Sequence, residues 1–239
     1  MKTISLLLLF FLPFGHQEDL NSTAVLQKMY HRYHGKWHSS RTFNQTTERY
    51  RNDSLVKTQT WYENILYPDK LRIDFDSLKS GSGVIYRGDS TYVMRSHKLL
   101  RSAKGENELI FFLGGMYFVP FDRVLTHFKE LNYDLAKFHK DTWKGKPVYV
   151  IGADKADEKV NQLWIDQEKL VAVRFIKYED GTKEEGTMED QIPMKGGGWS
   201  ETLCKFYIND HILQVEKYHD VVAGAPIDKT MFDPSLIEK

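Results

Sequence analysis

The sequence predicts a mainly β protein built on one antiparallel sheet, with one amphipathic helix before it and one helical insert within it. From Thr42 onward the hydrophobic positions recur with period two. Turn dipeptides such as Asp180-Gly181 and Asn209-Asp210 separate these runs in hairpin order. No alternation of strand and helix marks parallel βαβ units. The runs number about nine to eleven strands.

The elements follow in chain order. Met1 to Gln17 carries one positive charge, Lys2, before the apolar run Ile4 to Phe14. That run is too short to span a bilayer, which needs about 20 apolar residues, and it reads as a secretory signal, residues 1–17. No Cys follows it as an acylation site, so the product is expected to be exported, soluble and not lipid-anchored. Residues 18–239 then form one domain, since no linker or internal repeat divides them. Asn21-Ser22-Thr23 offers N-caps to a helix whose Leu26, Met29, Tyr30 and Tyr33 share one face, ending near Gly35. His31, His34 and His38 near this helix read as a solvated polar face rather than as metal ligands.

Thr58 to Leu66 is rich in β-branched and aromatic residues, and Leu71 to Asp76 alternates apolar with charged residues. That strand is expected to put Leu71, Ile73 and Phe75 on one face and Arg72, Asp74 and Asp76 on a solvated one. Val84 to Tyr86 and Thr91 to Arg95 flank a Gly88-Asp89 turn. Asn107 to Leu135 breaks the strand pattern: Gly114-Gly115 and Pro120 precede a helix with Phe121, Val124, Leu125 and Phe128 in one stripe. Strands resume at Pro147 to Gly152, Asn161 to Asp166, Val171 to Tyr178, Thr202 to Ile208 and Ile212 to His219. The acid pairs Glu184-Glu185 and Glu189-Asp190 read as an exposed hairpin, and Gly196-Gly197-Gly198 as a flexible loop.

Composition narrows the function. Lys+Arg and Asp+Glu both number 33 in the whole chain, so there is no basic excess for nucleic acid. Aromatic residues at 13% exclude a disordered chain, and the single Cys204 excludes a disulfide scaffold. Cys204 reads as a small buried strand residue. No G-x-S-x-G or H-E-x-x-H motif is present, and no cofactor or metal site is indicated. An apolar interior beneath an apolar segment instead fits a lipid-binding module.

The order of motifs resembles the periplasmic lipoprotein-carrier (LolA/LolB-like) family, including its outer-membrane lipoprotein-sorting relatives. The resemblance runs over about residues 20 to 235. It is carried by Phe43-Asn44-Gln45, Tyr67-Pro68, the Leu71/Ile73/Phe75 alternation, the Gly88-Asp89 hairpin, the helical insert, Trp143 to Tyr149, Asn161 to Asp166 and Phe232-Asp233-Pro234. It implies a curved antiparallel half-barrel with a helical lid over its concave face, in the periplasm. It also implies lipid or lipoprotein acyl chains as ligand, with an inner-membrane release complex and an outer-membrane acceptor as partners. A monomer is expected. The lipid-binding residues would be Leu71, Ile73 and Phe75 on the sheet and Phe121, Val124, Leu125 and Phe128 on the lid, facing them. Best-known carriers place an Arg before the Pro as the lid latch, and here that residue is Tyr67. Two further classes stay open: an enzyme with a scattered site, and a structural or partner-binding module whose concave face is filled by its own side chains. The cavity beneath the lid discriminates the last from a carrier.

Overall fold

A computed structural model describes residues 20–155 and 157–237; the expected signal at residues 1–17 lies outside them. Helix α1 spans Ser22–Tyr33. Asn21 caps it by accepting a hydrogen bond from the Ala24 amide at 2.9 Å, and Val25, Leu26 and Met29 are wholly buried. Gly35 at φ +72° carries the chain out of the helix, a conformation that L residues adopt at a cost.

Strands β1 (Ser40–Arg51), β2 (Ser54–Leu66), β3 (Lys70–Phe75), β4 (Gly83–Arg87), β5 (Ser90–Arg95) and β6 (Lys98–Lys104) follow as consecutive hairpins. The insert holds helix α2 (Glu108–Phe112), a 3₁₀ turn at Gly115–Phe118 and helix α3 (Phe121–Glu130). Strands β7 (Phe138–Trp143), β8 (Lys146–Ile151), β9 (Gln162–Asp166), β10 (Ala172–Glu179) and β11 (Thr182–Glu189) resume the sheet. A short ribbon, β12 (Ile192–Pro193) with β13 (Trp199–Ser200), precedes β14 (Leu203–Ile208) and β15 (His211–Ala223). Two 3₁₀ turns, Lys229–Phe232 and Pro234–Leu236, close the described chain.

The main sheet is antiparallel, has 13 strands and is not closed into a barrel. Its order is β6-β5-β4-β3-β2-β1-β15-β14-β11-β10-β9-β8-β7. The count exceeds the expected nine to eleven because β6 (KLLRSAK) and β7 (FHKDTW) carry too few alternating apolar residues to register as strands. The join at the centre, β1 against β15, pairs Gln45 with Tyr218 and Thr47 with Glu216 across most of the chain length. Since β6 and β7 are the two outer strands, residues 105–137 must cross from one edge to the other. They do so over one face.

That face carries the main core: Ile65, Leu71, Ile73, Leu163, Ile165 and Met188 lie under α1 and the insert. The opposite face has two smaller clusters. Val148, Val150, Trp164 and Val173 form one, and Ile85 and Met94 pack with Phe232 in the other.

Both faces of β3 are therefore covered, which corrects the expected solvated face. Asp74 is 2% exposed and pairs with Arg72 at 2.8 Å, while Arg72 also donates to the Met231 carbonyl at 2.9 Å. The C-terminal turns supply this cover, and nothing in β3 itself announces them.

Of the acid pairs expected in an exposed hairpin, Glu184 and Asp190 are exposed, but Glu185 and Glu189 are half-buried. Arg174 donates to Glu185 and to Glu158, each at 2.7 Å, and Lys183 bridges Glu158 at 2.6 Å and also Asp210. The reason is that β11 is an interior strand, between β10 and β14. His38 is buried as well, against the solvated reading. It stacks on Trp37 at 5.2 Å, and burial lowers its pKa to about 4. It lies past the end of α1, where the chain turns inward.

Phe232 is 1% exposed and anchors the C-terminal cover. Phe232→Ala is expected to cost about 3–5 kcal/mol, read as a lower urea midpoint with an unchanged slope.

Candidate functional site: the insert-covered face

The insert meets the sheet through α2, and its geometry follows from local sequence. Asn107 caps α2 by accepting from the Leu109 amide at 3.1 Å. Gly114, at φ +146°, then turns the chain tightly against α1's end. A Cβ there would lie 2.3 Å from Trp37 Nε1, so only glycine fits. Pro120 stands at the N-cap of α3. Tyr30 of α1 donates its hydroxyl to the Val119 carbonyl at 2.9 Å and holds that junction down.

Leu71 and Ile73 are 4% and 7% exposed on the covered face, and Phe75 is half-buried there, tilted against Trp61 at 5.0 Å. The element directly over Leu71 and Ile73 is α2. A cavity of 60 Å³ between them is lined from the sheet by Arg41, Phe43, Glu63, Leu71, Ile73 and Glu216. Asn107, Leu109, Ile110 and Leu113 form its roof.

The α3 stripe lies elsewhere. Val124 and Phe128 are fully buried, with Phe121 and Leu125 packed partly against the same core. Phe128 meets Phe111, Phe112 and Tyr133 at ring distances of 5.6, 5.7 and 5.4 Å, and Phe121 meets Tyr30 at 5.3 Å. So α3 braces α2 and α1 within the core that Leu71 and Ile73 share, and α2 supplies the roof of the small cavity over them.

Tyr67 supplies a latch of its own. Its hydroxyl donates to the Leu113 carbonyl at 2.9 Å, at the C-terminal end of α2. On the far side, Lys177 of β10 bridges Glu108 at 2.6 Å. The insert is thus pinned at both ends of α2.

Beneath α2 sits a buried polar cluster. Arg41 is 1% exposed, bridges Glu201 at 2.8 Å and donates to Ser200 Oγ at 2.9 Å. Burial alone lowers the guanidinium pKa, and the Glu201 carboxylate together with Tyr67 and Tyr218 more than reverses that. Glu201 and Ser200 come from the end of the glycine-rich loop, which is packed rather than free: a Cβ on Gly198 would lie 2.6 Å from the Trp37 ring. Glu216 accepts from Gln214 at 2.5 Å and from Tyr218 at 3.0 Å. Glu63 is buried with no hydrogen bond or ion pair among the described residues. Burial and the neighbouring Glu216 push its carboxyl well above the ordinary 4.5, and burial raises Glu216 as well.

Inspection of the sequence for apolar stripes misses this cluster. Its signal was present in Trp61-Tyr62-Glu63-Asn64-Ile65, where an acid occupies the phase of the buried apolar positions. Cys204, as expected, is a buried strand residue, and burial keeps its thiol protonated.

Two measurements check this geometry. Tyr67→Phe is expected to cost about 1 kcal/mol and to speed amide exchange at Leu113 and its α2 neighbours selectively. For Glu63, the folded pKa lies above the unfolded one, so stability is full below about pH 4 and is lost as pH rises through the folded value. Glu63→Gln is therefore expected to be more stable than wild type at about pH 8, with the advantage shrinking toward acid, read by urea unfolding across pH.

No protein-family model and no curated protein sequence matches the chain. Solved structures do. A DUF1329 family protein from Desulfovibrio piger aligns with a TM-score of 0.61 at 12% identity, covering 91% of this chain and 98% of that one. A structure described as an outer membrane lipoprotein-sorting protein domain from Vibrio parahaemolyticus gives 0.58 at 11% identity, covering 91% and 98%. A LolA superfamily protein from Nitrosomonas europaea gives 0.54 at 13% identity, covering 91% and 99%. Over 91% of its length, this chain has the fold shared by those structures.

Proposed function

We propose that the protein is an exported, non-enzymatic carrier that holds lipid or lipoprotein acyl chains between its sheet and the 105–137 insert. In this reading the open sheet curves as a half-barrel, residues 1–17 direct export, and the periplasm is the site of action. An inner-membrane donor loads the monomer, and an outer-membrane acceptor unloads it. The ligand contacts are Leu71, Ile73 and Phe75 below and the insert above, with Phe121, Val124, Leu125 and Phe128 supporting the lid.

One observation carries the reading: an apolar sheet face is roofed by a short helix that polar contacts pin at its two ends, Tyr67 to Leu113 and Glu108 to Lys177. The likeness to lipoprotein-sorting and LolA-superfamily structures supports it. The energies are compatible. Each of those contacts is worth about 1–2 kcal/mol, and the buried Ile110 and Phe112 of α2 add about 1.5–3 kcal/mol each, against on the order of 10 kcal/mol for a dozen methylenes leaving water. An entering chain can therefore drive α2 aside.

A cavity of 60 Å³ holds no acyl chain, so loading requires that displacement. The same small volume favours a second reading, a partner-binding module whose face stays filled by its own side chains.

Native mass spectrometry with lipid extraction, applied to wild type and Leu71→Glu, separates the two. The carrier reading expects co-purified lipid in wild type, with loss of lipid and a modest fall in Tm in the variant. A packed module expects no lipid and a loss of several kcal/mol from a charge placed in a closed core. Wild-type-like lipid in a folded Leu71→Glu would remove this face from the carrier reading.

A further inference from the structure

The cavity beneath α2 has a chemical bias that an acyl-chain site does not need. Three carboxylates, Glu63, Glu201 and Glu216, surround a single guanidinium, Arg41. Arg41 is held by Glu201 and Ser200 through its two terminal nitrogens, at 2.8 and 2.9 Å, while its Nε has no partner among the described residues. Glu216 is satisfied by Gln214 and Tyr218. Glu63 lines the cavity at 6% exposure and receives no donor among the described residues. Arg41 is its one attractive charge nearby, and the two make no ion pair or hydrogen bond; a buried carboxylate with no direct donor is destabilising, and a fold that keeps one has a use for it or a partner for it. Beside Asn107 and Tyr218, the rest of the wall is apolar: Ile65, Leu71 and Ile73 from the sheet, Leu109 and Ile110 from α2.

A group that satisfies this corner must bring a positive charge and several N–H donors on an apolar stem. We infer that the insert-covered face selects an amine-headed amphiphile, whose primary ammonium docks on Glu63 while its chain lies along Leu71 and Ile73. The inference rests on the proposed apolar-chain binding and specifies its headgroup. An ammonium has three donors to give and no acceptor to waste. Glu63 can accept from it, with Glu216 adding a second negative charge nearby. A carboxylate- or sulfate-headed chain meets the same two acids as repulsion, because Arg41 is already neutralised by Glu201. A neutral alcohol supplies one donor and no charge.

The test uses the full chain and three probes of equal chain length, dodecylammonium, dodecanol and dodecanoate, each below its micelle concentration or solubility limit at neutral pH. Affinities are measured by calorimetry and by the fluorescence of the tryptophans, of which Trp61 lies beside Phe75. Dodecylammonium is expected to bind about ten-fold or more tightly than dodecanol, since a charge-assisted hydrogen bond separates them, with dodecanoate weakest. In Glu63→Gln, which keeps shape and removes the charge, that preference should fall to within about two-fold of dodecanol. Its melting curve establishes that it is folded. Equal binding of the three probes by wild type, or an ammonium preference that survives in folded Glu63→Gln, overturns the amine assignment and leaves the apolar-chain reading standing. Binding of none of the three overturns both.

Discussion

The structure depends on a topological constraint. Pairing β1 with β15 sets the two halves of the chain side by side, so that the first half ends at one edge of the sheet and the second begins at the other. The connection between them has no route except across a face. Because one face is thereby roofed by a segment that contributes no strand to the main sheet, that face can be apolar without being solvent-exposed. The roof is also separable from the sheet in a way a strand is not, since moving it breaks no ladder of backbone hydrogen bonds.

The consequences appear residue by residue. Tyr67 reaches Leu113, Lys177 reaches Glu108, and Tyr30 reaches Val119, so the roof is held by scattered polar contacts over an apolar interior. Each polar contact is individually modest, and Val124, Phe128 and Phe112 add apolar burial in the same core as Leu71 and Ile73. The opposite face is closed by Phe232 and by the Arg174 ion-pair network.

The polar cluster under α2 is the feature at odds with a simple core. Packing alone would place a leucine at Glu63. Keeping an unpartnered carboxylate there costs stability at neutral pH, and such costs concentrate at sites where a fold binds something.

Local structure was legible from the sequence because its cause is local. Alternation at Leu71, Ile73 and Phe75 assigns a face by the two-residue repeat of a strand, Asn21 and Gly35 bound a helix by capping and by φ, and Pro120 opens another. The insert was legible too, as the stretch where period two fails. Cover was not legible, because alternation says which residues share a face and nothing about what lies on it. That α2 rather than α3 roofs Leu71, that Arg72 and Asp74 meet the C-terminal turn, and that Glu185 is interior all follow from which strands pair at long range. So does the meeting of Arg41, Glu63, Glu201 and Glu216 from four separate segments. In the sequence they are ordinary strand and loop charges; only the β1–β15 pairing, which brings residues some 170 positions apart into one register, makes them a single buried site.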